Sequence, residues 1–260
     1  MPFTNEVNIL LKQFEFDWSG SYKHIRDAIY LITRLVEART YLEVGAPKDT
    51  YSIQCFNALP VKMKLTIDRD LNGSENINPT QKLQISSDDF FGLHALKYFP
   101  EGIDVVFIDG DHSYIQSRQD IINALQFLTS PGVILVHDCL PSSEYATGKQ
   151  TFEEHLQYCS SLEEYTQAVA IWVGEVWKSI VYFRSFRSDV YTRVLNFPFM
   201  GLGVLFPTNM FQNTQLNLDL ATIENLQWKD VEKDLKKFIG LTEMPYFTRV
   251  LSNITQRRVS

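Results

Sequence analysis

Four side chains that can bind metal ions or transfer protons follow two short apolar runs of this sequence. Asp109 and His112 lie in VVFIDGDHSY, and His137 and Asp138 follow GVILV. Carboxylates and imidazoles at this spacing can ligate a divalent cation, and an imidazole can also accept a proton near neutral pH. The chain has only five histidines, so two of them in this pattern mark a candidate site.

Short apolar runs alternate with stretches of helical spacing through the middle of the chain. Strands with nearly continuous apolar residues, separated by helices, are typical of a parallel sheet covered on both faces. The pattern predicts a doubly wound, Rossmann-like α/β domain that ends in an antiparallel strand pair. An amphipathic helix is predicted over 21–39, and the predicted strands cover 40–45, 62–68, 82–86, 103–110, 132–138, 189–197 and 201–207.

Polar residues stand at the predicted carboxyl ends of five successive strands. Ligands of doubly wound sheets bind outside these strand ends, so the candidate functional residues belong there. They are Glu43, Gly45, Asp68, Ser86, Ser87, Asp88, Asp109, Asp111, His112, His137 and Asp138.

The first strand-to-helix turn, EVGAPKDTYS, narrows the choice of ligand. It has one glycine where the dinucleotide fingerprint requires three, which disfavours a dinucleotide. An acid-x-Gly turn followed by Asp68 at the end of the second strand suits a mononucleoside, because a carboxylate can accept hydrogen bonds from both ribose hydroxyls. The alternative is an ordinary turn of another α/β protein.

The segments LEVG, LTID, ISSDDFF, VVFIDGDHSY and PGVILVHDC together resemble one bacterial family over about residues 40–140. This is the class I methyltransferase family that includes the macrocin-type and mycinamicin-type sugar O-methyltransferases. The resemblance implies S-adenosyl-L-methionine as cofactor and a small hydroxylated substrate, such as a sugar or a glycosylated metabolite. The implied cofactor-binding residues are Glu43 and Gly45 beside the methionine part, Asp68 at the ribose, Ser87 and Asp88 near the adenine, and Asp109.

The same resemblance implies a magnesium site and a catalytic base. Asp109 and Asp138 match metal ligands, and His112 matches the base. His137 replaces the first member of an acid pair, and imidazole favours zinc, iron or manganese over magnesium. Two alternatives remain open: His112 bonds a nearby aspartate at a helix start, or the His–Asp pair belongs to a metal phosphohydrolase, although the other histidines lack that spacing.

A long connection over about 140–173 is predicted to form a lid over the substrate. The following WVGEVWK stretch resembles WNGDVWK in a branch of the same family. This likeness implies that Trp172 and Trp177 stack on a sugar ring and that Glu175 binds a hydroxyl. The alternative is a pair of core tryptophans with a Glu175–Lys178 ion pair.

Composition limits the classes of partner. The 260 residues are 45% hydrophobic with a formal charge of -7, which opposes nucleic acid as the main partner. No apolar run approaches the roughly 20 residues of a membrane span, and three cysteines without CxxC spacing indicate free thiols. We expect a cytoplasmic protein with a domain over 1–207 and a helical appendage over 208–260, whose helix near 223–239 packs on the domain or contacts a partner or a second copy.

Three rival functions stay open beside the metal-assisted O-methyltransferase. One is a methyltransferase that uses no metal, and another is a different metal enzyme on this fold. The last is a non-catalytic binding or assembly protein, which failure to bind S-adenosylmethionine would favour.

Overall fold

Seven strands form one sheet in the computed structural model, which describes residues 25–148, 161, 172–197, 200–208, 215–243, 246–248 and 250. Their order across the sheet is β3-β2-β1-β4-β5-β7-β6. β7 runs antiparallel to β5 and β6, whereas the other neighbours are parallel. The predicted doubly wound fold with its antiparallel pair is therefore confirmed. The strands are β1 (Thr40–Val44), β2 (Met63–Asp68), β3 (Lys82–Gln84), β4 (Ile103–Ile108), β5 (Leu128–Val136), β6 (Val190–Leu195) and β7 (Leu202–Pro207).

Helices flank the sheet, and side-chain caps fix where several of them begin. Ser113 caps the helix after β4, because its hydroxyl accepts the Gln116 N–H at 3.2 Å. The helices are α1 (Ile25–Leu35), α2 (Thr50–Ala58), α3 (Ser87–Asp89), α4 (Ala95–Tyr98), α5 (Tyr114–Phe127), α6 (Val176–Phe186), α7 (Leu220–Asn225), α8 (Trp228–Val231) and α9 (Leu235–Phe238). A π-helical turn, Phe90–His94, joins α3 to α4. Short 3-10 helices cover Pro79–Gln81, Glu144–Ala146 and Glu232–Asp234.

The two faces of the sheet bury separate apolar clusters. Successive side chains of a strand point to opposite faces, so Tyr41 and Phe107 pack on the side of α1 and α2. Leu42 and Val106 instead pack beneath α5 and α6. Each large apolar side chain buried in this way stabilises the fold by about 1.5–3 kcal/mol. This double burial makes the central strands rigid supports for whatever stands at their ends.

The C-terminal segment packs on the second face through short helices. The single helix predicted over 223–239 is wrong: Leu226 leaves the helical conformation after α7, and Asp234 caps a new start at α9. Trp228 of α8 is buried edge-on against Trp177, with ring centroids 5.3 Å apart. The tail therefore shares the core of the sheet domain.

A buried arginine also joins the tail to the sheet. Arg184 of α6 is 2% exposed and donates hydrogen bonds to the carbonyls of Thr192, Lys237 and Phe238 at 3.0–3.1 Å. Burial lowers the pKa of Arg184 to about 10. Backbone dipoles of β6 and α9 thus stabilise a cation inside the protein.

Two sequence predictions fall mainly on other parts of the chain. Residues 149–160 and 162–171 of the predicted lid lie outside the described residues, as do residues 21–24 of the helix predicted over 21–39. Among the residues described, no helix is both long enough and apolar enough to cross a membrane.

Candidate active site at the carboxyl edge of the sheet

A cavity of about 590 Å³ opens at the carboxyl ends of β1, β2, β3 and β4. Its position agrees with the rule for parallel sheets, because these four strands all end at the same edge. Five of the predicted cofactor residues line it, namely Gly45, Asp68, Ser87, Asp88 and Asp109. Arg26, Gln116 and Asp120, which the sequence analysis did not select, line it as well.

Gly45 forms the turn that brings the ends of β1 and β4 together. Its φ is 95°, and a Cβ at this position would lie 1.9 Å from the carbonyl oxygen of Asp109. Only glycine allows both the left-handed conformation and this close approach. The turn therefore needs glycine so that the ends of β1 and β4 can meet beside the cavity.

Asp68 secures the same turn from the end of β2. One carboxylate oxygen accepts the Ala46 N–H and the other accepts the Asp70 N–H, each at 2.9 Å. Each oxygen has a further lone pair, so the carboxylate can still accept bonds from a ligand. Its position at the cavity is the one predicted for a ribose-binding acid.

Glu43 does not line the cavity, because it is completely buried beneath the turn. One oxygen accepts a hydrogen bond from Arg26 and the other accepts one from the Tyr41 hydroxyl, both at 2.8 Å. Burial raises the pKa of Glu43, although Arg26 and Tyr41 oppose the rise. Glu43 therefore contacts Arg26 and Tyr41 rather than the cavity, and its predicted role in cofactor binding stays a prediction.

A polar network closes the far end of the cavity, beside α3 and α5. The Gln116 amide donates to Ser87 at 3.3 Å, to Asp88 at 3.4 Å and to Asp120 at 3.0 Å. Burial raises the pKa of Asp120 to about 6. The spacing of Gln116 and Asp120, one helical turn apart, was the available sequence signal for this network.

Asp109, His137, Asp138 and His112 converge at the ends of β4 and β5. Nδ1 of His137 lies 2.9 Å from Asp138 and 3.4 Å from Asp109. Nε2 of His112 lies 3.2 Å from Asp138 and 3.9 Å from Asp109. The structure thus brings together all four residues that the sequence singled out.

The imidazole of His137 and the nearby carboxylates stabilise each other's charged forms. Burial opposes a charged imidazole, but the carboxylates of Asp138 and Asp109 outweigh it and raise the pKa of His137 well above its usual value. Burial also opposes a charged Asp109, yet His137 and His112 hold its pKa below the usual range. The pair therefore favours an ionised Asp109 next to a cationic or metal-bound His137.

The cluster also has unused ligand atoms. Oδ1 of Asp138 and Nδ1 of His137 are buried and have no hydrogen-bond partner among the described residues. The short contacts of His137 with the two aspartates lack hydrogen-bond direction, as expected for atoms that face a common point. Asp109, His137 and Asp138 each offer one ligand atom, and these three atoms lie within 4.8 Å of one another. Asp138 adopts a left-handed φ of 61°, which is costly for a non-glycine residue. This donor set fits a divalent cation.

The segment before α6 packs directly on His112. Trp172 stacks on the imidazole, with ring centroids 4.8 Å apart and planes 16° apart. The Glu175 N–H donates to the His112 carbonyl at 2.8 Å. Gly174 has a φ of 62°, and a Cβ there would lie 2.7 Å from the Cβ of His112. These contacts determine where the imidazole lies.

The other two predicted substrate residues have different surroundings. Trp177 is 1% exposed in the core, so it presents no ring face to a ligand in this structure. Glu175 forms an ion pair with Lys178, with 2.6 Å between Oε1 and Nζ. Lys178 itself is buried, and also donates to the Glu224 carbonyl. Glu175 and Glu224 line a second cavity of about 230 Å³ next to the start of α5.

Comparison with known proteins bears on the segment that contains this site. Residues 51–139 match the family model of a methyltransferase domain. The matched segment runs from α2 to the residue after Asp138, so it contains most of the cavity wall and the whole four-residue cluster. A search of curated protein sequences finds no match.

Solved structures with similar chain traces include three methyltransferases of low identity. An O-methyltransferase from Bacillus cereus in complex with SAH is 13% identical, with a TM-score of 0.47, covering 80% of this chain and 93% of that one. The O-methyltransferase TomG from Streptomyces achromogenes, involved in tomaymycin synthesis and solved with SAM, is 18% identical, with a TM-score of 0.42 and coverages of 78% and 88%. The MycE methyltransferase of the mycinamycin biosynthetic pathway, solved with Mg, SAH and mycinamycin VI, is 12% identical, with a TM-score of 0.45 and coverages of 82% and 57%.

Proposed function

We propose that the chain is an S-adenosylmethionine-dependent methyltransferase that performs metal-assisted O-methylation of a small hydroxylated molecule. The observation that carries the proposal is that the cavity and the four-residue cluster share Asp109. Asp109 lines the 590 Å³ cavity and also belongs to the four-residue cluster with His112, His137 and Asp138. A nucleoside-bound methyl donor in the cavity would therefore end beside a cation site and a base.

The cavity wall suits S-adenosylmethionine in three respects. The Gly45 turn adds no side chain to the cavity wall at the end of β1, and Asp68 offers acceptors for ribose hydroxyls. Ser87 and Asp88 lie at the far end, where an adenine would reach. The match of residues 51–139 to a methyltransferase domain supports the same cofactor.

Asp109, His137 and Asp138 would ligate the divalent cation. A bound cation lowers the pKa of a nearby hydroxyl and orients it. The imidazole in this donor set favours manganese, iron or zinc, while the two carboxylates are also compatible with magnesium.

His112 is the proposed base. S-adenosylmethionine supplies a sulfonium-bound methyl group, so that transfer forms an O–CH₃ bond, breaks the S–CH₃ bond and leaves a neutral thioether. Nε2 of His112 accepts the proton of the acceptor hydroxyl. Asp138, at 3.2 Å from that nitrogen, stabilises the resulting imidazolium.

The proposed acceptor is a sugar or a glycosylated metabolite. Glu175 and Glu224 line the 230 Å³ cavity together with Ser113, next to the segment that begins α5. Carboxylate and hydroxyl groups of this kind bind sugar hydroxyls. Trp172 covers one face of the His112 imidazole.

The deciding experiment combines calorimetry and metal analysis on one sample. We expect S-adenosylmethionine and S-adenosylhomocysteine to bind, and we expect a divalent ion to co-purify or to be required when activity is assayed after chelation. Magnesium, manganese, iron and zinc would be added back separately. Failure to bind either cofactor form would contradict the proposal and favour a non-catalytic binding protein.

A second candidate is a methyltransferase that needs no metal. The 3.2 Å contact between His112 and Asp138 favours it, because a carboxylate next to an imidazole forms an acid–base pair without any cation. Full activity in excess chelator would support this candidate.

A further inference from the structure

A buried arginine lines the inner wall of the cavity. Arg26 comes from the first turn of α1 and is 6% exposed, yet it borders the same space as Gly45 and Asp109. Its guanidinium lies 4.9 Å from the ring centroid of Phe107 on β4. The charged group thus reaches the floor of the cavity from the far side of the sheet edge.

Arg26 is held in place by residues that do not reach the cavity. Its Nη1 donates to Glu43 at 2.8 Å, and the second oxygen of Glu43 accepts the Tyr41 hydroxyl at 2.8 Å. Burial opposes the charge, but Glu43 outweighs this effect and raises the pKa of Arg26. Burying an ion pair rarely increases stability by itself. A role in ligand binding would explain why this pair lies beneath the cavity.

The other cations of the cavity wall lie at its exposed mouth. Lys48 is 3.6 Å from Asp70, and Arg69 is 3.5 Å from Asp111. Their side chains are 48% and 75% exposed, respectively, so solvent screens them. Among the described lining residues, Arg26 is therefore the cation best placed to bind an anionic group deep in the cavity.

Most other charges of this wall are negative. Six aspartates line the cavity: Asp49, Asp68, Asp88, Asp109, Asp111 and Asp120. A ligand anion can approach such a wall only where a fixed cation compensates for the repulsion. S-adenosylmethionine carries one carboxylate, on its methionine part, which the proposed orientation places beside the Gly45 turn.

We propose, building on the function proposed above, that Arg26 binds the α-carboxylate of S-adenosylmethionine and that Glu43 positions Arg26 for it. A guanidinium carries five N–H donors in a planar fork, and Nη1 of Arg26 donates to Glu43. An arginine in this role makes charge-assisted bonds to a carboxylate. The cavity thereby distinguishes the intact cofactor from nucleosides that lack the carboxylate.

The test compares two ligands that differ only in this group. S-adenosylhomocysteine and its decarboxylated analogue share the adenosine, the thioether and the amine. We expect the wild-type protein to bind S-adenosylhomocysteine about 10–100-fold more tightly, the scale of hydrogen bonds to a charged group. The double variant Arg26→Gln/Glu43→Gln should bind both ligands with nearly equal Kd.

The double variant avoids leaving Glu43 buried without its partner. Arg26→Lys serves as a second variant, which retains the charge but loses the fork, and should show a reduced preference. Arg34→Gln is the matched control, because Arg34 is exposed on the same helix, and its ligand preference should equal that of the wild type. Circular dichroism and Tm would confirm that each variant is folded.

The outcomes separate this inference from the proposed function. If the wild type binds neither ligand, the proposed function and this inference both fail. If S-adenosylhomocysteine binds but the folded Arg26 variants keep the wild-type preference, or lose affinity for both ligands equally, the role of Arg26 is overturned while the methyltransferase proposal stands. If the double variant does not fold, Arg26→Lys decides by the same comparison.

Discussion

The imidazole of His112 lies parallel to the indole of Trp172, with 4.8 Å between the ring centroids. The two residues come from different parts of the chain: His112 follows β4, and Trp172 precedes α6. An indole in this position restricts rotation of the imidazole and shields one of its faces from solvent. The geometry makes Trp172 a positioning residue for His112 in the proposed reaction.

Replacing the proposed base should slow the reaction without loss of binding. His112→Ala is expected to retain metal and S-adenosylhomocysteine but to lose roughly 10²–10⁴-fold in kcat, the range for a positioned general base. Single-turnover rates and calorimetry on the same preparation would measure both quantities. A wild-type rate would remove His112 from the chemistry.

Crowding the carbonyl and Cβ of His112 should have a smaller effect of the same kind. Gly174→Ala places a Cβ 2.7 Å from the Cβ of His112 at a left-handed φ, so the imidazole must shift. We expect a lower kcat with an unchanged Kd for S-adenosylhomocysteine. Gly92→Ala is the control, because nothing lies within 4 Å of its added methyl group. Equal effects of both substitutions would argue against a positioning role.

Substituting either proposed aspartate ligand should reduce metal binding and turnover together. Asp109→Asn and Asp138→Asn each remove a charge from the cluster, so bound metal and turnover are expected to fall in parallel while cofactor binding largely survives. Metal analysis after dialysis, with activity titrated against four divalent ions, would check this. His94→Gln is the control, since His94 lies on the π-helical turn outside the cluster. Wild-type turnover of Asp138→Asn in excess chelator would exclude metal assistance.

Asp68→Ala should weaken cofactor binding. Loss of bonds from the ribose to a charged acceptor is expected to cost about 1.5–3 kcal/mol. Calorimetry with S-adenosylhomocysteine would measure the change. Asp70→Ala provides a comparison, because Asp70 is exposed on the same loop and bonds Asp68 only through its backbone. Unchanged affinity in Asp68→Ala would place the ribose elsewhere.

The buried carboxyl of Asp120 should make stability depend on pH. Its folded pKa of about 6 exceeds the ordinary value of 3.8, so the folded state binds the proton more tightly. This contribution is complete below about pH 4 and is lost as pH rises through 6. Between pH 5 and 7 the wild type should therefore lose about 1 kcal/mol relative to Asp120→Asn.

Urea unfolding at the two pH values would measure this difference. Asp189→Asn is the control. The Arg187 side chain lowers the pKa of Asp189, so this carboxylate stays ionised from pH 5 to 7, and the stability difference between Asp189→Asn and the wild type should not change over that range. A pH-independent difference between Asp120→Asn and the wild type would show that Asp120 does not titrate in this range.

The central strands could be predicted because burial on both faces makes them continuous apolar runs. Once the strands were predicted, the proximity of Asp109 and His137 could be predicted too, because the adjacent parallel strands β4 and β5 end at the same edge of the sheet. Arg26 could not be predicted in this way, because its contact with Glu43 depends on how α1 crosses the sheet. Periodicity likewise gave no indication that Leu226 would interrupt the tail helix, where packing of Trp228 overrides local propensity.

The three backbone carbonyls that accept hydrogen bonds from Arg184 limit how far the protein can be shortened. Pro207 is an attractive place to cut, because it ends the last strand. A cut there would remove the Lys237 and Phe238 carbonyls and leave a buried cation with only part of its solvation. It would also bare the edge of Trp177 that Trp228 covers. We therefore expect a fragment ending at Pro207 to aggregate, and any minimal version of this protein must include the chain through at least Phe238.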